Sequence, residues 1–280
     1  SETMVKSSAK TTLANAIFLA FLIGILFSSS TFVQASLVFS TDFTTAEGFA
    51  NGDPLNGQGD YLAQSTWTTD TSSDGGIGFA TSSGTFQRAE NFQSFQLSTG
   101  ESLQLITVFR VNGSITNSNI VNSFGFAISS ENTGGNTPDV RTLIRGSSGG
   151  YTVGGDNGTS VSVLAADIND WVRLTMNYTR SATSNLYDVS VDVFNVTDSI
   201  SLGTAAFDDT ATSSSWGDGV DLQASFRLNN LAGADSVDVD FFSASVIPEP
   251  STLVPVSFVA VLGILFFRAR KKSSKESCQS

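Results

Sequence analysis

Between residues 36 and 247 apolar and polar side chains alternate one by one, in run after run, and this constrains the fold more than any other feature of the chain. Leu103, Leu105, Thr107, Phe109 and Val111 alternate with Gln104 and Arg110. The pattern returns at Phe124, Phe126 and Ile128, at Val172, Leu174, Met176 and Tyr178, and at Val189, Val191 and Val193. It returns again at Leu222, Ala224, Phe226 and Leu228, and at Val237, Val239 and Phe241. A repeat of two places all the apolar side chains of a run on one face of a β-strand. Clusters of Gly, Ser, Asn and Asp separate the runs, as at 72–76, 132–136, 146–150 and 154–158, and such residues form turns. No window carries the 3.6-residue stripe of an amphipathic helix. Half-buried antiparallel strands with polar connections predict an all-β body of two sheets packed face to face. The register predicts that Val172, Leu174, Met176, Val189, Val191, Val193, Val237 and Val239 are buried, and that Asp188, Asp192, Asp238 and Asp240 face solvent.

The two ends of the chain read differently. Met4 is the natural first residue, and Lys6 and Lys10 precede a 12-residue apolar run at 16–27. Val33-Gln34-Ala35 then offers the residues a signal peptidase reads, so residues 1–35 are predicted to be a secretory signal peptide cut after Ala35. At the other end Pro248, Glu249, Pro250 and Ser251 precede an uncharged apolar run at 252–267. Counted from Ser251 its 17 residues would span ~26 Å as a helix, near the short limit for crossing a membrane. Arg268, Arg270, Lys271 and Lys272 follow at once. Such a basic cluster stops transfer and leaves residues 273–280 as a cytoplasmic tail. Both ends therefore place the body at 36–247 outside the cytoplasm.

The tail at 247–272, with Pro-Glu-Pro, a short span and a basic cluster in that order, resembles the PEP-CTERM sorting signal of exported bacterial proteins. That resemblance implies recognition by an exosortase, a membrane-embedded cysteine protease or transpeptidase. It also implies transient anchoring in the inner membrane before delivery to the cell surface or extracellular matrix. The family is linked to exopolysaccharide production.

Charge and missing residue types exclude several functions. From Ser36 to Pro250 there are 24 Asp and Glu against seven Arg and no Lys, a formal −17. A body this acidic disfavours nucleic acid and anionic lipid as partners, and it offers carboxylates to calcium. The chain has no His, which removes histidine-based triads and the usual zinc sites. Its one Cys, Cys278, lies in the tail, so the body has neither a disulfide nor a thiol nucleophile.

Two further stretches carry a resemblance for the body itself. The opening FSTDFTTAEGF…PLNGQGDY is similar to the first strand and loop of concanavalin A-like domains in bacterial surface proteins. The later NDWVRLTMNYT…LYDVSVDVFN resembles the laminin G-like pattern of a Trp-headed strand paired with the next. These resemblances imply a concanavalin A-like jelly-roll sandwich of roughly a dozen strands.

Some domains of that type are glycoside hydrolases, for which two carboxyl groups about 5–5.5 Å apart are required in a retaining mechanism. The family's signature, Glu-x-Asp followed two or three residues later by Glu, is missing, and the body's glutamates are scattered. Asp188 with Asp192, and Asp238 with Asp240, read as the solvent side of half-buried strands. For calcium the candidates are Asp70 with Asp74, Asp208 with Asp209, and Asp218 with Asp221, all in polar connections by this reading. Turn formation is the commoner role of each. Trp67, Trp171 and Trp216 are candidate sugar-stacking residues, with Trp171 better suited to the core and Trp216, in SSSWGDG, to a ligand. The expectation is a non-catalytic surface or matrix protein that binds polysaccharide; the alternative is a carbohydrate-active enzyme, a glycoside hydrolase or lyase, on the same fold.

Overall fold

The structure is a computed structural model of the 280-residue chain. It describes residues 34–249 apart from 64–66, 72–78, 83–86, 114–123, 131–139, 148–149, 157, 184, 211–218 and 229–233. The apolar and basic segments of the two ends therefore lie outside the described residues, as do Pro250, Ser251, Asp74, Trp216 and Asp218. Among the described residues no helix is long and apolar enough to cross a membrane.

The body, Ala35–Pro248, is one compact unit. Its described strands, in chain order, are β1 (Ser36–Thr41), β2 (Tyr61–Ala63), β3 (Thr68–Asp70), β4 (Phe79–Ser82), β5 (Gln87–Asn91), β6 (Ser102–Gly113), β7 (Phe124–Ser130) and β8 (Val140–Ser147). There follow β9 (Gly150–Gly154), β10 (Ser160–Leu164), β11 (Val172–Arg180), β12 (Leu186–Asn195), β13 (Ile200–Thr210), β14 (Leu222–Leu228) and β15 (Ala234–Ile247). One sheet of eight strands runs β13-β12-β11-β6-β15-β4-β3, with β1 also on β15, and one of seven runs β10-β9-β8-β7-β14-β5-β2. Every pairing is antiparallel. The predicted two-sheet sandwich is the fold.

The inner faces carry the predicted register. Val172, Leu174, Met176, Val189, Val191, Val193, Val237 and Val239 are all buried, while Asp188 and Asp192 are exposed. Tyr178 of β11 and Thr142 of β8 join the sheets through a 2.8 Å hydrogen bond between their hydroxyls. Phe226 on β14 is an aromatic hub, with Phe43, Tyr61, Trp67 and Phe242 centred 4.7–6.4 Å from its ring. Phe43 and Phe49 reach the core because the loop after β1 is tied down by Glu47. Its carboxylate accepts from the Asp42 and Thr44 backbone N–H groups at 3.0 Å each, which closes the turn of a capped 3₁₀ helix, Thr45–Glu47.

Two expectations fail on β15. A register shift between Val239 and Phe241 inserts one extra residue, and a bulge of that kind reverses the parity of everything after it. Phe242 and Ala244, not Phe241, then face the core. Asp238 does sit on the outer face, opposite Arg110 on β6, yet it is only 3% exposed. The Arg110 Nη2 and Asn112 Nδ2 groups both donate to its Oδ2 at 2.8 Å, and these longer side chains close it off from water. Asp240, at the bulge, is half-buried.

The first and last strands lie side by side, Ser36 opposite Val246. Ala35 and Glu249 are both exposed just beyond them, while Pro248 is half-buried.

Candidate metal and ligand sites

Antiparallel pairing brings two turns together at one end of the β11–β12 hairpin. Val172 opposes Asn195, so the residues before β11 meet those after β12. Before β11 the chain makes a 3₁₀ turn, Ala165–Asp167, closed by the Asp170 N–H on the Asp167 carbonyl (3.2 Å). Asn169 there takes φ +74°, a left-handed conformation that Asn tolerates better than most residues. After β12 the Asp198 N–H donates to Asn195 Oδ1 at 3.0 Å. Fully buried Asn195 turns its Nδ2 to Asp170 Oδ2 at 2.8 Å.

Asp167, Asp170 and Asp198 each offer one carboxylate oxygen, all within 4.8 Å of one another. Oxygen-only donors of this kind suit a hard cation such as calcium, which takes six to eight oxygens. The three carboxylates supply part of that shell, and carbonyl oxygens or water would supply the rest. Burial first, and the Asp167 and Asp170 carboxylates second, push the nearby Tyr151 hydroxyl above its ordinary range. Its Oη is buried without a hydrogen-bond partner. Trp171, beside this group, is half-buried. The Arg110 guanidinium lies 4.4 Å from its ring centroid, so one of its faces is already occupied.

These three aspartates are not the ones singled out from the sequence. Asp70 ends β3 and is half-buried, and Asp221 is exposed and accepts from Gln96 Nε2 at 2.9 Å; neither joins the group. Asp208 and Asp209 lie within β13 rather than in a connection. Adjacent strand residues point to opposite faces, so the two carboxyls separate, and Asp209 Oδ2 accepts the Arg141 N–H at 2.9 Å. Trp67 is not a ligand platform: it is fully buried, edge-on to Phe226 at 4.7 Å. The signal for Asp167, Asp170 and Asp198 was present as Asp-x-x-Asp before one strand and Asn-x-x-Asp after the next. It becomes readable only once those strands are paired.

A second feature is a surface pocket of about 580 Å³ lined by Thr179, Asp188, Phe207, Asp208 and Gly158 among others. Asp188 and Asp208 stand directly opposite on β12 and β13. Burial, then the hydrogen-bonded carboxyl of Asp208, raise Asp188 above the usual carboxylate range.

No protein-family model and no curated protein matches the chain. Among solved structures, lectin II from Ulex europaeus superposes with a TM-score of 0.50 at 12% identity, over 77% of this chain and 100% of the lectin. A lectin from Bauhinia forficata in complex with GalNAc gives 0.48 at 12% identity, over 77% and 100% of the two chains. The carbohydrate esterase of Shiga toxin-encoding bacteriophage phi24B gives 0.47 at 14% identity, again over 77% and 100%. At such identities what is shared is the fold, and it is the concanavalin A-like sandwich that the two stretches of resemblance implied.

Proposed function

We propose that the body is a non-catalytic carbohydrate-binding sandwich, exported and sorted by an exosortase to the cell surface or extracellular matrix. The observation that carries the binding part is the match of the whole length of a lectin to the sandwich. Fold alone does not fix a function, so the reading also draws on the site. Calcium, held by Asp167, Asp170 and Asp198, would brace the turns at the end of the β11–β12 hairpin and lower the local repulsion of three carboxylates. The Glu-x-Asp signature of the glycoside hydrolases on this fold is missing from the sequence, which favours binding over hydrolysis.

A glycan-binding screen on the purified full chain, with calcium and with chelator, tests this directly. The expected result is saturable binding to at least one polysaccharide and a melting temperature several degrees higher with calcium. Asp170→Asn should abolish the calcium-dependent shift. Absence of glycan binding under both conditions would end the carbohydrate reading, and superimposable melting curves would end the calcium one.

Sorting rests on the tail. Pro248 and Pro250 disfavour helix in the residues before them, so the segment entering the short span would be extended and open to an intramembrane enzyme. Replacement of Pro248, Glu249 and Pro250 by alanine should leave export and anchoring intact and block release from the inner membrane. Mass spectrometry of the released protein is decisive. A C-terminal peptide still containing Cys278 would show that no cut is made near Pro-Glu-Pro.

A further inference from the structure

Charge is divided unequally between the two sheets. The strands of the seven-stranded sheet carry four arginines, Arg88, Arg141, Arg145 and Arg227, against a single carboxylate, Glu90. Those of the eight-stranded sheet carry three arginines against eight aspartates. In a body at −17 with seven cations in all, four of the seven are therefore gathered on one sheet.

They are also gathered on one face of it. Ala89, Phe226, Phe126 and Ile144 point into the core, and strand alternation sends their neighbours outward. Arg88 and Arg227 stand directly opposite each other on β5 and β14. Like charges in that position repel, and Glu90, ion-paired with Arg88 on the same face, offsets that repulsion. Two strands further on, β8 presents Arg141 opposite Ala127, and Arg145 opposite Thr152 of β9. Neighbouring strands lie about 4.8 Å apart, so β14 and β8 hold these cations about 10 Å apart across β7. Between them β7 contributes Gly125 and Ala127, which lack long side chains. The Ser225 hydroxyl beside Ala127 is buried with no hydrogen-bond partner.

The arginines are braced. Glu90 Oε1 and Ser129 Oγ both accept from Arg88 Nη2. Arg141 Nη2 donates to Asp156 Oδ2 at 3.3 Å and Arg145 Nη2 to the Gly155 carbonyl at 2.6 Å. A guanidinium has five N–H donors, and Arg141, Arg145 and Arg227 are all partly open to water.

We propose that the outer face of the seven-stranded sheet binds an anionic, uronate-bearing polysaccharide, whose carboxylates are held by Arg141, Arg145 and Arg227. This rests on the carbohydrate-binding reading above and narrows it to a ligand class. Guanidinium groups match carboxylates in shape and charge. A row of them spread across strands suits a polymer with repeated carboxylates better than one small anion. Recognition by charge also fits a chain whose Trp67 is committed to the core. A polyphosphate backbone is disfavoured because the rest of the body would repel so dense a charge.

The test is retention of the full chain on immobilised polygalacturonate, with neutral dextran and double-stranded DNA in parallel. Wild type should bind polygalacturonate, lose it as salt is raised, and bind DNA less. The double variant Arg145→Gln/Arg227→Gln should bind polygalacturonate at least about tenfold more weakly, the scale expected for lost charge-assisted hydrogen bonds. Binding to dextran or other neutral glycans should not change. Arg173→Gln, exposed on the other sheet, should bind as wild type. Should the double variant melt early, Arg227→Gln alone takes its place. Undiminished polygalacturonate binding by the variants overturns the proposal, as does stronger binding to DNA. Binding to neutral glycans only overturns it while leaving the carbohydrate reading standing; binding to no glycan removes both.

Discussion

Replacement of Phe226 by alanine is expected to remove about 3–5 kcal/mol of stability, the usual cost of deleting a fully buried aromatic ring. Its ring is fully buried, with Trp67 edge-on at 4.7 Å and Phe242 at 5.5 Å. Phe43 and Tyr61, from opposite ends of the N-terminal loop, complete the ring of contacts at 6.4 and 6.1 Å. Truncation would leave a cavity bordered by four rigid rings from four separate chain segments, which cannot all close in on it. With whole-domain stability of about 5–15 kcal/mol, the loss should appear as a large drop in the urea midpoint at unchanged slope. Phe226→Leu keeps most of the volume and should cost well under half as much. A shift below about 1 kcal/mol for alanine would mean that the hub does not organise the core. The same ring explains why Trp67 belongs to the fold and not to a ligand.

What was legible in the sequence follows from one-sided burial. Strands β6, β11 and β12 each keep one face toward water, so their alternation survives intact, and the buried set read from Val172 to Val193 is the buried set in the structure. Strands β7 and β14 are harder. Six consecutive residues of β7 are buried, Phe124 to Ser129, because small outward side chains such as Ala127 and Ser129 are shielded on both sides. On β15 the bulge depends on its pairing with β6, and no local residue announces it. Trp67 sits among Ser and Thr and was a candidate for sugar stacking, whereas its burial comes from Phe226, far along the chain. The acidic group is the plainest case. Asp167, Asp170 and Asp198 lie about thirty residues apart at most, but they meet only because Val172 opposes Asn195. The crowding of arginine on one sheet is similarly invisible until each strand is assigned to its sheet.

Arg88 and Glu90 supply the second large effect, and its sign depends on how they are changed. They are two residues apart on β5, on the same outward face, and their side chains are only 9% and 8% exposed. Arg88 also donates to Ser129 Oγ across the sheet at 2.6 Å, so the pair ties β5 to β7 over the intervening β14. Removing water from two charges costs several kcal/mol, which their mutual attraction roughly offsets. Deleting one partner leaves the other's charge buried without its ion pair. Arg88→Met or Glu90→Leu alone should therefore cost about 3–5 kcal/mol, whereas the double change, which fills similar volume without charge, should be close to neutral or mildly stabilising. A double-mutant cycle by chemical denaturation measures the difference as a coupling free energy. Coupling near zero, with both single variants barely destabilised, would mean that water reaches the pair and that its burial is not felt.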